Sequence, residues 1–288
     1  MFTIFFKNDI IYNNIRVLGD VKMMIDLHVH SKYSFDANDS VRDIAKSAIE
    51  KKINYLAITD HKDYFWKIQA TQLDIKGVFD DIDSVRSEFS GEIKLLKGIE
   101  LGEINARPEA LQLTKEYPFD MVIGSLHSMP DDVDFYDVDY EKIDSDKLLK
   151  DYLSELKKMV DYGGFDVLAH IDYPLRKMEK ANIKPSFENY MELVVPVLKS
   201  VIDKEIALEI NAAGLFSYLK SVGPQGFVLD EYKRLGGSLI SIGSDSHKAC
   251  DVGRGINQCI NHALKHGFKY VTVFENRKPC QVFIGENN

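Results

Sequence analysis

Met24-Ile25-Asp26-Leu27-His28-Val29-His30 decides how this chain is read. Its apolar start predicts an extended strand. Alternate side chains of a strand share one side, so His28 and His30 point the same way. Two imidazoles so placed form one jaw of a metal site. The plainer reading is a half-exposed strand end that carries two histidines, and the choice rests on what the rest of the chain brings to the same place.

Downstream, short apolar runs alternate with amphipathic segments. Ser40 stands as an N-cap before Val41, Ile44, Ala45, Ala48 and Ile49, the spacing of a helix with one buried face. Further strands are expected over residues 55–59, 93–99, 121–126, 167–169, 206–210 and 239–243, and helices near 74–89, 147–160, 187–202, 230–235 and 256–266. Seven strand-helix units imply an α/β protein whose parallel sheet is covered on both faces and closes into a barrel. Chemistry then belongs to the loops at the C-terminal strand ends.

At 288 residues, with 45% hydrophobic and 28% charged residues, the chain suits one large domain better than two. We expect residues 24–288 to form that domain. Residues 1–23 read as an N-terminal extension: Phe2, Ile4, Phe5 and Phe6 form an apolar cluster that Lys7 and Asp9 interrupt too early for a signal peptide or membrane span, though it could add a strand to the domain. A net charge of -9 argues against nucleic-acid partners and anionic membrane surfaces. Cys250, Cys259 and Cys280 lack the paired spacing of a zinc knuckle or redox motif and read as reduced cytoplasmic thiols.

Six of the eight histidines, His28, His30, His61, His127, His170 and His247, fall at or just beyond a predicted strand end. Asp60, Glu100 and Asp245 accompany them. His262 and His266, four apart on the last helix, read as an ordinary solvated face. A barrel brings its strand ends together around one axis. Imidazole and carboxylate without thiolate suit zinc, manganese or iron(II), and there are too many candidate ligands for one ion. A pair of ions bridged by carboxylate can clamp the oxygens of a displacement at phosphorus. The residues therefore point to a multinuclear hydrolase.

In order along the chain, His28-x-His30, Thr59-Asp60-His61, Gly98-Ile99-Glu100, Ser125-Leu126-His127, Ala169-His170 and Gly243-Ser244-Asp245-Ser246-His247 resemble the signature of the PHP family, named for polymerase and histidinol phosphatase. The resemblance runs from about residue 25 to 250. The blocks Thr59-Asp60-His61-Lys62-Asp63 and His170-Ile171-Asp172-Tyr173, with the free-standing length, are most similar to the histidinol-phosphate phosphatases of histidine biosynthesis. The resemblance implies a distorted (β/α)7, TIM-like barrel with three divalent metal ions at the C-terminal strand ends. One ion would take His28, His30, Glu100 and Asp245; a second would share Glu100 and add His127 and His170; the third would take His61, His247 and Asp36. Asp60 would orient His61 or a bound water, with direct ligation as the alternative.

Three divalent ions and three ligand carboxylates leave the centre at about +3, which suits a small phosphorylated substrate despite the acidic chain. The resemblance also gives Arg176 a phosphate-binding role. After Asn211, where related phosphatases carry a second arginine, the chain reads Ala212-Ala213-Gly214-Leu215-Phe216-Ser217 and Lys220 is the nearest cation. The expected reaction is in-line attack of water at phosphorus without a covalent phosphoenzyme. Hydrolysis of L-histidinol phosphate leads; the alternatives are another small phosphomonoester or a nucleotide, and a metal-binding barrel without turnover.

Overall fold

A computed structural model describes residues 9–12, 15–18, 23–64, 72–130, 134–178, 183 and 186–285. The strands are β1 (Asp9–Tyr12), β2 (Ile15–Leu18), β3 (Ile25–Val29), β4 (Tyr55–Ile58), β5 (His61–Lys62), β6 (Lys94–Gly102), β7 (Met121–Ser125), β8 (Val167–Leu168), β9 (Ala207–Asn211), β10 (Ile240–Gly243), β11 (Tyr270–Glu275) and β12 (Lys278–Phe283). The helices are α1 (Val41–Glu50), α2 (Ile75–Glu88), α3 (Pro108–Glu116), α4 (Ser145–Tyr162), α5 (Leu175–Met178), α6 (Met191–Asp203), α7 (Gly226–Arg234) and α8 (Ile256–Lys265).

Seven parallel strands run in the order β10-β9-β8-β7-β6-β4-β3, and the two-residue β5 pairs with β6 beyond the end of β4. Every residue of β3, β4, β7, β9 and β10 is buried, as a parallel sheet covered by helices requires. The ring is completed past the end of β10 by two backbone bonds: Asp245 N–H donates to the His28 carbonyl at 2.8 Å, and His30 N–H to the Ser246 carbonyl at 2.9 Å. A register shift between Asp26 and Val29 accompanies this closure. The barrel is therefore the distorted (β/α)7 form, with its irregular join at the first and last metal motifs.

Local chemistry explains the covering helices. The Ser40 and Asp144 side chains accept the Asp43 and Lys147 amides, capping α1 and α4. The apolar residues Val41, Ile44, Ala45 and Ala48 of α1 are buried, as their spacing predicts. Gly243 is required where β10 passes the site, because a Cβ there would lie 2.3 Å from His28 Cβ and 2.7 Å from Glu209 Oε1.

Two parts differ from the expectation drawn from periodicity. Helix α3 fills the connection between β6 and β7, and β11 and β12 form an antiparallel hairpin after the last barrel helix. Strand β2 pairs in parallel with β12, so β1 and β2 join that hairpin in a four-stranded sheet. The apolar cluster Phe2, Ile4, Phe5 and Phe6 lies outside the described residues. Among the described residues no helix is long and apolar enough to cross a membrane.

Candidate metal centre

The C-terminal strand ends deliver their histidines around one carboxylate, Glu100, which lies on β6 and is fully buried. Its Oε2 is 3.0 Å from His28 Nε2, 3.5 Å from His30 Nε2 and 3.0 Å from His61 Nδ1. Its Oε1 is 3.2 Å from His127 Nε2 and 3.0 Å from His170 Nε2. Asp245 Oδ1 faces the same first pair, 3.8 Å from His28 Nε2 and 3.5 Å from His30 Nε2. At the mouth, Asp36 Oδ2 lies 3.1 Å from His247 Nε2 and 3.8 Å from His61 Nε2. The His28 and His30 rings, 5.1 Å apart, converge as the opening stretch predicts.

The electrostatics favour positive charge at His28, His61 and His127. Burial opposes protonation of His28, yet Glu100, Glu209 and Asp245 outweigh it and hold its pKa well above the ordinary value. His61 is pushed up to about 9, with burial opposing and Glu100 and Asp63 prevailing. His30 goes the other way: burial, then the neighbouring His247 and His61, hold it well below its ordinary value. A divalent ion supplies positive charge in place of protons and also accepts lone pairs. His30 Nε2 and His61 Nδ1 are buried without a hydrogen-bond partner, as ligand atoms aimed at an ion would be. Ligand-capable sets include His28-His30-Glu100, Glu100-His127-His170, His30-His61-His247, His28-His170-Asp245 and His61-Asp63-His127. The donor set fits metal.

Residues 26–213 match the PHP domain family, more than half of the chain. The chain belongs to the PHP family. A probable histidinol-phosphatase of Thermotoga maritima is 30% identical over 252 residues, 87% of this chain and 95% of the relative. The histidinol-phosphatase of Lactococcus lactis is 28% identical over 258 residues, 88% and 95% of the two chains. A solved histidinol phosphate phosphatase from Lactococcus lactis, in complex with zinc, L-histidinol and phosphate, aligns with a TM-score of 0.79 at 26% identity, covering 90% of this chain and 99% of that one.

Within this PHP barrel all nine expected ligands, His28, His30, Asp36, His61, Glu100, His127, His170, Asp245 and His247, converge on one cluster. Arg176 joins them from α5: it is 6% exposed, its Nη1 lies 3.0 Å from Asp245 Oδ2, and its Nε and Nη2 are buried without partners. Lys220 is exposed at the rim of the same cavity of about 910 Å³. Asp60 differs from these residues in that its carboxylate's hydrogen-bond partners are serines. It accepts from Ser31 N–H at 2.6 Å, Ser31 Oγ at 2.8 Å and Ser34 Oγ at 2.8 Å. These three bonds reach the ligands through Ser34 rather than directly. Asp60 fixes the loop after His30, where Ser34 Oγ accepts the His61 backbone N–H at 3.1 Å and lies 3.2 Å from His30 Nδ1. His262 and His266 bind Pro224 O and Asp230 away from the centre.

Three buried acids were not singled out by sequence reasoning. Asp63 Oδ2 lies 3.3 Å from His127 Nδ1, and Glu103 Oε1 accepts the backbone amides of His127 and Ser128 at 2.8 and 3.1 Å. Burial and the nearby Asp63 push the Glu103 carboxyl up to about 7. Glu209 Oε1 lies 2.6 Å from His28 Nδ1. Their signal in sequence is an acid inside or just past a strand buried on both faces, where an unpaired carboxylate is costly.

Proposed function

We propose that this PHP protein hydrolyses L-histidinol phosphate to L-histidinol and phosphate, as a cytoplasmic enzyme of histidine biosynthesis, using three divalent ions held by the nine ligands named above. Zinc, manganese and iron all suit the donors. The observation that carries the reading is the likeness, over nearly the whole of both chains, to a Lactococcus enzyme bound to zinc, L-histidinol and phosphate.

Bound ions supply Lewis-acid charge neutralisation and a nucleophilic water. The chain's own residues do the rest. Glu100 and Asp245 hold the histidine jaws at fixed spacing on the cavity floor. Arg176 offers Nε and Nη2 to two phosphoryl oxygens while Asp245 fixes Nη1, so the guanidinium meets the anion already oriented. Asp63 and Glu209 add negative charge to that of Asp36, Glu100 and Asp245 around a three-ion centre, and Arg176 offsets part of it. The arginine thus matters more to anion binding than the sequence count suggests. Attack in line with the leaving alkoxide needs no side-chain nucleophile.

A second reading, hydrolysis of another small phosphomonoester or a nucleotide, is favoured by the segment after Asn211. There Ala213–Phe216 forms a short 3-10 turn without an arginine, and Lys220 sits on the rim. The test is turnover of metal-loaded protein on L-histidinol phosphate beside a panel of sugar phosphates, nucleotides and phosphoserine. Nucleotide hydrolysis with none of histidinol phosphate replaces the first reading with the second.

A further inference from the structure

Beneath the metal centre, Glu209 repeats from below what Glu100 does from above. Glu100 faces His28 Nε2 and His170 Nε2. Glu209, 1% exposed on β9, faces the other side of the same two residues: Oε1 is 2.6 Å from His28 Nδ1, and Oε2 accepts the His170 backbone N–H at 2.8 Å. Asn211 Nδ2 donates to the same Oε2 at 3.0 Å and approaches Asp245 Oδ2 at 3.3 Å. The orientation of that amide is fixed, because Asn211 Oδ1 accepts the Ala213 N–H at 2.8 Å.

A neutral imidazole has one N–H and one lone pair. With carboxylates on both ring nitrogens, His28 has only one side on which the proton can sit while the other remains a ligand. The 2.6 Å contact to Glu209 sets the proton on Nδ1 and turns the Nε2 lone pair to the cavity. We propose that Glu209 is the positioning residue of the metal centre: it fixes the His28 tautomer and, through the His170 amide and Asn211, ties together ligands assigned to two different ions. The inference rests on the metal-centre reading above.

Glu209→Gln isolates this role with almost no change in shape. A glutamine has one accepting oxygen, and the two fixed donors, His170 N–H and Asn211 Nδ2, claim it. Its NH₂ group then faces His28 Nδ1, which must accept, so the ring proton moves to Nε2 and the ligand lone pair is lost.

The experiment titrates zinc into the wild-type chain and Glu209→Gln against a competing chelator, counts bound ions by elemental analysis, and compares the melting of the two metal-free chains. The expected result is one fewer ion retained and about 10- to 100-fold weaker binding at the affected site, the range typical of lost outer partners, from a metal-free variant that still melts cooperatively. Equal stoichiometry and affinity in the two chains overturn the role of Glu209 alone, whereas a wild-type chain that takes up no zinc overturns the metal-centre reading with it. If the variant does not fold, long-range proton–nitrogen NMR on histidine-labelled, zinc-loaded wild type decides. A proton on His28 Nδ1 upholds the assignment and a proton on Nε2 ends it.

Discussion

Arg176 Nη1 lies 3.0 Å from Asp245 Oδ2, so the short helix after β8 and the loop after β10 grip each other across the cavity. The carboxylate that lies against His28 and His30 through Oδ1 therefore aims the guanidinium through Oδ2. Replacing Arg176 with Ala should lower kcat/KM for the phosphate ester by roughly 10- to 100-fold, the loss of hydrogen bonds to a charged group worth ~1.5–3 kcal/mol. Inhibition by inorganic phosphate should weaken in parallel. Arg176→Lys should recover little, because an ammonium cannot present two parallel N–H groups. Unchanged phosphate inhibition in the Ala variant would remove Arg176 from anion binding.

Glu100 touches five histidines, so its substitution cannot be confined to one ion. Glu100→Gln should lose more than one ion and bring turnover to the limit of detection, with the metal-free fold intact by circular dichroism. Full metal content at near wild-type turnover would refute the bridging role.

Ion removal should destabilise the barrel. A ligand held at 1,000 times its dissociation constant contributes about 4 kcal/mol to the folded state. Chelated protein should melt well below the zinc-loaded form in calorimetry and recover when zinc is restored. Identical melting with and without chelator would argue against bound metal in the starting protein.

At the opposite end of the barrel Arg277 holds the N-terminal strand ends together. Its Nε pairs with Asp166, its Nη2 donates to the Gly164 carbonyl at 2.9 Å, and its backbone N–H donates to Asp120 O at 2.9 Å. Arg277→Ala should cost about 1–3 kcal/mol in denaturant unfolding, with kcat unchanged in the folded fraction. Burial already raises the Asp166 pKa while Arg277 opposes that rise. Removing the arginine raises it further, so the variant's deficit is greatest where Asp166 is ionised and shrinks as pH falls through its folded pKa. A deficit that grows on acidification would show that the pair is not its source.

The convergence of the expected ligands was legible because polar side chains at the ends of doubly buried strands have few other reasons to be there. His28, Glu100 and His170 mark three separate strand ends, and barrel closure alone brings them together. Glu209 was harder to single out: one acid within Ala207–Asn211 gives no hint of its partners, which lie far away in sequence. Asp60 was legible as part of the site, but its direction was not, since that depends on where Ser31 and Ser34 fold back. The β11–β12 hairpin escaped notice because its turn is Asn276-Arg277, both at positive φ, where a glycine would have announced it. Arg277 tolerates that backbone while its side chain is tied to Asp166.

The two bonds that complete the barrel, from Asp245 N–H to His28 O and from His30 N–H to Ser246 O, use the backbones of Asp245, His28 and His30, three of the expected metal ligands. The seam of the cylinder and the cage proposed for the first ion are thus one object, and an ion held there would act as a rivet through it. Substitutions that loosen this seam will be recorded as metal-binding defects, and metal depletion will be recorded as faster amide exchange at His30 and Asp245, although neither experiment has touched the other's target.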